Sequence, residues 1–202
     1  MDRHDWDARY AASPLVWSAG PNQFLERETA DLPAGRALDL ACGEGRNALW
    51  LAGRGWRATG VDFSPVAIDK ARTLATERGV DVAWVVADVT TWDPDPGGFD
   101  LVAVMYLQLD DAGRAAAYAR AAGAVAPGGT LLVVAHDLDN LEHGHGGPQD
   151  PSVLTTPESV VAVIGDLVVE RAERVRRTVQ TDAGPVDAVD TLVLARRGGS
   201  RR

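Results

Sequence analysis

The chain has 202 residues, enough for one substantial domain, and its composition (46% hydrophobic, 24% charged) is that of an ordinary globular protein. A formal net charge of -9 argues against a nucleic-acid surface, which needs a basic stripe to meet phosphates. Cys42 is the only cysteine, which excludes an intrachain disulfide, and no apolar run approaches the ~18 residues of a membrane span; a cytoplasmic location without membrane attachment is expected.

The first 34 residues are polar, show no signal-peptide pattern, and carry Trp6, Tyr10 and Trp17. They are expected to form an N-terminal cap over the catalytic core, which the sequence places at residues 35–196, with a frayed tail at 197–202. Residues 36–41 ("RALDLA") are the first apolar run and 56–63 ("WRATGVDF") the second. Residues 82–89, 99–107 and 129–136 follow, near-continuously apolar as strands buried on both faces of a parallel sheet should be.

Helical patterns lie between the runs. One spans 46–54 and another 64–78, with Ser64 as N-cap and Pro65 at the first helical position. A third spans 110–125 and is ended by the turn signal "APGG" at 126–129. A fourth begins at Thr156-Pro157-Glu158. Two β-like runs close the chain, 167–179 and 186–195, with the turn "TDAGP" between them. Alternation of this kind predicts a doubly wound α/β domain, and the last two runs are too close for a crossover, so they predict an antiparallel hairpin at a sheet edge. In such sheets ligands bind at the carboxyl ends of the strands.

The turn after the first strand reads Gly43-Glu44-Gly45-Arg46-Asn47-Ala48, which satisfies a G-x-G-x-x-A dinucleotide pattern, and Asp62 follows at the distance of a ribose-binding acid. A nicotinamide-dependent oxidoreductase is therefore one reading. Charge points to another. Glu44 in the turn and Asp39 in the strand would repel a pyrophosphate, whereas S-adenosylmethionine brings a sulfonium, an ammonium and one carboxylate. Asp39 could then hold the ammonium, and Arg46 with the helix N-terminus could meet the carboxylate. Asp88, at the end of the third strand, could accept the adenine amino group while the backbone of Val89 meets a ring nitrogen and Phe63 covers the adenine face.

The stretches "ALDLACGEGRN", "ATGVDFSP", "VVADV" and "APGGTLLVV" resemble the ordered motifs of class I S-adenosylmethionine-dependent methyltransferases over roughly residues 36–136. Within that superfamily "CGEGRNALWLA" and the opening "WDARYAASPLVW" resemble the tellurite-resistance and thiopurine methyltransferase group, whose N-terminus closes over the cofactor. The resemblance implies a seven-stranded Rossmann-like sheet of order 3-2-1-4-5-7-6 with the last strand antiparallel. It implies S-adenosylmethionine as cofactor, glycine-turn contact (Gly43, Gly45) with its methionine part, ribose contact at Asp62 and adenine contact at Asp88.

Methyl transfer from a sulfonium is an in-line displacement in which the protein positions the nucleophile, and a base is needed only for an acceptor that is protonated at working pH. A small-molecule acceptor is expected, at sulfur or another soft atom, walled by Trp6, Tyr10, Trp17, Tyr106 and His136. Met105 would face the methyl. Tyr106, His136 and Arg46 are the catalytic candidates. Arg176 and Arg177 lie where tellurite-resistance members carry basic residues, but without the histidine found there. The segment 136–151 holds three histidines with Asp137, Asp139 and Asn140, yet the stretch after the fourth strand lacks the carboxylate that a metal-dependent catechol-type enzyme needs, so no metal is expected. A catalytically silent cofactor-binding module is the remaining alternative; the oligomeric state is not legible.

Overall fold

The structure, a computed structural model, describes residues 2–16 and 20–199, so Trp17 lies outside the described residues. Two helices, α1 (Arg3–Ala11) and α2 (Gln23–Thr29), precede the sheet. Then β1 (Arg36–Leu40), α3 (Arg46–Gly53), β2 (Arg57–Asp62), α4 (Pro65–Arg78), β3 (Val82–Val86), β4 (Phe99–Met105), α5 (Asp111–Ala124) and β5 (Val125–His136) alternate. A connection with α6 (Asn140–His143), a 3-10 turn at Pro151–Val153 and α7 (Pro157–Val161) leads to β6 (Val168–Thr181) and β7 (Gly184–Arg196).

The sheet has seven strands in the order β3-β2-β1-β4-β5-β7-β6. The pairs from β3 through β5 are parallel, and β7 runs antiparallel to both β5 and β6. The expected edge hairpin is present, with Thr181 opposite Gly184 closing it. Alternation along β4 shows how the apolar runs feed two cores. Leu101, Ala103 and Met105 point to one face, where they meet Leu49 and Leu51 of α3 and Phe24 and Leu25 of α2. Val102 and Val104 point to the other, against Ala117, Tyr118 and Ala121 of α5. Each large side chain buried in this way stabilises the fold by about 1.5–3 kcal/mol, which is why runs buried on both faces show no polar alternation.

The helix starts are set by side chains. Ser64 Oγ accepts from Ala67 N (3.1 Å) ahead of α4, which ends at Gly79 in a left-handed conformation. Asp110 accepts from Gly113 N (2.8 Å) ahead of α5.

Three expectations need correction. Strand β3 stops at Val86, so Asp88 and Val89 lie in the turn beyond it, where the backbone N–H groups of Thr91 and Trp92 donate to Asp88 O. Strand β5 starts at Val125 rather than after "APGG"; its pairing with β4 jumps from Phe99–Val125 to Leu101–Thr130, so Ala126, Pro127, Gly128 and Gly129 form a bulge inside the strand. The tail does not fray at Arg197: its guanidinium donates to Val125 O and Ala122 O (2.8 and 2.9 Å), and its backbone exchanges hydrogen bonds with Gly128 and Gly129. No helix among the described residues is long and apolar enough to cross a membrane.

Candidate active site

A cavity of about 860 Å³ opens at the carboxyl ends of β1, β2, β4 and β5, under the N-terminal segment. The chain after β1 turns sharply there. Gly43 and Gly45 have φ of +54° and +77°, and Gly45 N donates to Cys42 O (2.9 Å) before α3 begins. The two glycines serve different ends. Gly43 lies on the cavity wall, and its N–H donates to Asp62 Oδ2 (2.8 Å). Gly45 does not line the cavity; a Cβ there would lie 2.4 Å from the Trp84 ring and 3.0 Å from Ala71 Cβ, so packing and the left-handed backbone require the glycine.

Asp62 ends β2 with its carboxylate on the wall, accepting from Gly43 N and, through Oδ1, from Ser64 N (2.9 Å). Burial pushes its pKa up, against those two hydrogen bonds. Each oxygen retains a second acceptor site. Phe63, Asp88, Val89 and Met105 also line the cavity. Thr90 donates through its N–H and hydroxyl to Asp88 Oδ1 (2.8 and 2.7 Å), which orients the carboxylate.

The two acids on which the charge argument leaned are placed elsewhere than expected. Glu44 is buried and does not line the cavity: both its oxygens accept from Val16 N (3.2 and 3.0 Å), and it pairs with Lys70 Nζ at 3.0 Å. Asp39 lies behind the wall, accepting from Ala48 N (3.1 Å) with Oδ2. Burial pushes its carboxyl up to about 7, and Oδ1 has no hydrogen-bond partner among the described residues. Neither acid faces the space a pyrophosphate would occupy, so charge at these positions separates the two cofactors less than the sequence suggests. Topology separates them better. A dinucleotide-binding sheet of this kind continues with parallel strands in the order 3-2-1-4-5-6, whereas here an antiparallel hairpin follows β5.

The cap is fastened to the cofactor turn. Lys70 Nζ donates to Tyr10 O and Ser13 O besides Glu44, and Ser64 Oγ donates to Asp7 Oδ1. Trp6 and Tyr10 stack (centroids 5.6 Å apart) and line the cavity, packed with Ala67 and Phe63. This sets them on the β2 side, beside Phe63.

The opposite side of the cavity is polar. Tyr106, directly after β4, adopts φ +56°, a left-handed backbone that costs a bulky residue about 1–3 kcal/mol. It is held there by Tyr106 N donating to Val134 O (2.7 Å) and by its hydroxyl donating to Asp190 Oδ2 (2.7 Å). Arg177 Nε donates to the same Asp190 oxygen (2.8 Å) and to the Tyr106 hydroxyl (2.9 Å). His136 pairs with Asp190 across the β5–β7 register, its Nδ1 lying 3.4 Å from Asp190 Oδ1 and its ring packed at a tilt of 33° against Tyr106, centroids 4.6 Å apart. Asp190 is fully buried, which would raise its carboxyl, but the nearby His136 ring and the hydrogen bonds from Arg177 and Tyr106 outweigh burial and hold it below the usual range. Burial, with the Asp190 charge, pushes the Tyr106 phenol well up. Arg46, at the first position of α3, also faces the cavity, and burial lowers its pKa, helped by the like charge of Arg177.

Arg176 and Arg177 part ways: Arg176 is exposed beside Asp187 (3.8 Å), and only Arg177 lines the cavity. Asp137 and Asn140 are spent on architecture. Asp137 accepts from Arg174 Nε, Asp139 N and Thr191 Oγ1, and Asn140 Oδ1 accepts from Val189 N (2.7 Å). Asp190 escaped the sequence reading, although a lone acid in the apolar run "AVDTLVLA" is a signal once the hairpin register sets it opposite His136.

A family model described as a methyltransferase domain matches residues 37–129. The 2-heptyl-1-hydroxyquinolin-4(1H)-one methyltransferase of Mycobacteroides abscessus is 34% identical over 70% of this chain, and the match spans 64% of that protein's length. Nodulation protein S of Rhizobium tropici is 30% identical over 80% of this chain and 69% of that protein. The chain belongs to the class I S-adenosylmethionine-dependent methyltransferases. The family's cofactor is S-adenosylmethionine. TehB of Haemophilus influenzae shares the fold: its solved structure superposes with a TM-score of 0.72 at 15% identity, covering 95% of this chain and 66% of that one. The strand order and the antiparallel β7 that the resemblance implies are those observed in this sheet.

Proposed function

We propose that this chain transfers the methyl group of S-adenosylmethionine to a small-molecule acceptor. The observation that carries the reading is the division of one cavity into two chemically different halves. The β1–β3 side suits the donor. Asp62 has acceptor sites for ribose hydroxyls, Asp88 and the backbone of Val89 suit the adenine edge, and Phe63 suits its face. The N-terminal end of α3 with Arg46 suits a carboxylate. Asp39, behind the wall, would act on the ammonium only at a distance. The donor, when bound, supplies an already activated methyl group; the protein aligns the acceptor with it and keeps water out.

The β4–β7 side, with Tyr106, His136 and Arg177, suits the acceptor. Trp6 and Tyr10 would close the donor side rather than grip the acceptor, since they pack with Phe63. An acceptor at sulfur or another soft atom, the expectation from sequence, would use this half for positioning alone. The Arg177 guanidinium, beside Tyr106 on this side of the cavity, favours an acceptor that is anionic when it reacts.

Calorimetric titration with S-adenosylhomocysteine and with NADH tests the donor half. Incubation with methyl-labelled donor and a panel of thiols, phenols, amines and halides tests the acceptor half. Binding of S-adenosylhomocysteine with turnover of at least one acceptor is the expected result. NADH binding alone overturns the reading, and tight S-adenosylhomocysteine binding without turnover across the panel favours a silent cofactor-binding module.

A further inference from the structure

Within the methyltransferase reading, on which this rests, we propose that His136 and Asp190 form a base pair that removes the proton of a weakly acidic hydroxyl acceptor. The acceptors this site takes are then phenol-, enol- or N-hydroxy-type compounds rather than thiols.

Elimination among the groups in the acceptor half leads to the histidine. Arg46 and Arg177 are guanidiniums and accept no proton. Asp110 and Asp150 also line the wall, but a carboxylate is a weak base, and each of these already accepts a backbone N–H at a helix start (Gly113 N at 2.8 Å, Ser152 N at 2.9 Å). The Tyr106 hydroxyl donates its own proton to Asp190 and accepts from Arg177, so it is fully engaged. Asp190 is sealed beneath the surface with no exposure and cannot touch an acceptor. His136 is left, lining the cavity with 15% of its side chain exposed. Its Nδ1 is buried against Asp190, whereas Nε2 is not among the sealed polar atoms, so Nε2 is the ring nitrogen that faces the cavity.

The carboxylate behind the ring sets the tautomer. An ionised Asp190 accepts from Nδ1–H, which leaves the lone pair on Nε2 and stabilises the imidazolium once the proton arrives. The 3.4 Å separation is long for a formed hydrogen bond and of the kind that tightens when an acceptor is bound. The ring cannot swing away, because it lies on Tyr106 and Gly147 packs along its Nδ1–Cε1 edge; a Cβ at Gly147 would come within 3.2 Å of Nδ1. The charged and titratable groups around the ring are Asp190 from β7, Arg177 from β6 and Tyr106 after β4, with Arg46 of α3 also on the cavity wall.

The step balances without a further reagent. The acceptor O–H proton passes to Nε2 as the oxygen forms its bond to the donor methyl. The C–S bond breaks with its electron pair returning to sulfur, giving a neutral thioether. The imidazolium, paired with Asp190, then releases the proton to water.

The test uses isosteric acceptors differing only at the reacting atom: 2-naphthol with 2-naphthalenethiol, and 4-chlorophenol with 4-chlorobenzenethiol. Rates are measured for the full chain, His136→Asn and Asp190→Asn above the pH at which the thiols ionise. S-adenosylhomocysteine affinity is measured in parallel as the report on folding and on the donor half. The native protein is expected to methylate the hydroxyl member of at least one pair. His136→Asn should lower kcat on that compound by about 10²- to 10⁴-fold, the usual contribution of a general base, while the thiol rate falls less than about fivefold. The acid limb of the kcat/KM profile should vanish with the histidine. Asp190→Asn offers Nδ1 an amide donor that moves the proton to Nε2, so kcat on the hydroxyl compound should fall with KM little changed. Equal loss on hydroxyl and thiol acceptors, or no hydroxyl methylation by the native protein, overturns the proposal while the methyltransferase reading stands. Failure of the native protein to bind S-adenosylhomocysteine removes both.

Discussion

Replacing Asp62 with alanine tests the donor half most economically. The carboxylate accepts from Gly43 N at 2.8 Å and Ser64 N at 2.9 Å, so it fixes the shape of the glycine turn and the start of α4 while presenting acceptor sites to the cavity. Loss of a hydrogen bond to a charged group costs about 1.5–3 kcal/mol. One such bond to the donor ribose is then worth roughly a 10- to 150-fold change in the dissociation constant, at 1.4 kcal/mol per tenfold. Freed Gly43 N–H and Ser64 N–H groups would also loosen the turn, so the melting temperature should fall as well. Calorimetric titration with S-adenosylhomocysteine reads the first effect and differential scanning calorimetry the second. An affinity unchanged within twofold in a variant whose melting temperature has dropped would show that Asp62 braces the turn and does not touch the donor.

Three further outcomes follow from the packing. Gly45→Ala drives a Cβ to within 2.4 Å of Trp84 at a φ of +77° and should cost about 2 kcal/mol or more of stability in urea unfolding; a loss under about 0.5 kcal/mol would contradict the packing. Lys70→Met strips the ammonium from buried Glu44 and from the carbonyls of Tyr10 and Ser13, so about 3–5 kcal/mol should be lost, and limited proteolysis should cut first within residues 10–22; unchanged cleavage would mean that Lys70 does not hold the cap. Asp39 has its folded pKa raised to about 7 by burial, above its value of 3.8 when unfolded, so the folded chain binds the extra proton between those values and stability declines as pH rises from about 4 to 7. Asp39→Asn should therefore match the native protein near pH 4 and exceed it by about 1–3 kcal/mol above pH 7; a pH-independent difference would refute the sign.

Much of this architecture is readable from residues alone, because its causes are local. The apolar runs of β1, β4 and β5 are continuous since both faces of the sheet are covered, and Ser64-Pro65 announces α4 by capping chemistry. The misreadings have a common cause, which is the direction in which a side chain points. Glu44 and Gly45 sit within the glycine turn by sequence, yet one turns to Lys70 and the other is occupied with Trp84. Strand alternation could have warned that Asp39 does not share the cavity wall with Gly43, because its neighbours Leu38 and Leu40 fill the opposite core. Asp190 was invisible for a different reason. Its meaning arises only from the β5–β7 register that sets it beside His136, and that register depends on a bulge and a hairpin closure that local propensities do not specify.

The most direct measurement is a crystal structure of the protein with S-adenosylhomocysteine. The account predicts the ribose on Asp62, the adenine between Phe63 and the Asp88–Val89 turn, and the sulfur directed across the cavity toward Tyr106 and His136. A ligand bound outside the wall formed by Gly43 and Asp62, or one whose sulfur points away from His136, would contradict it.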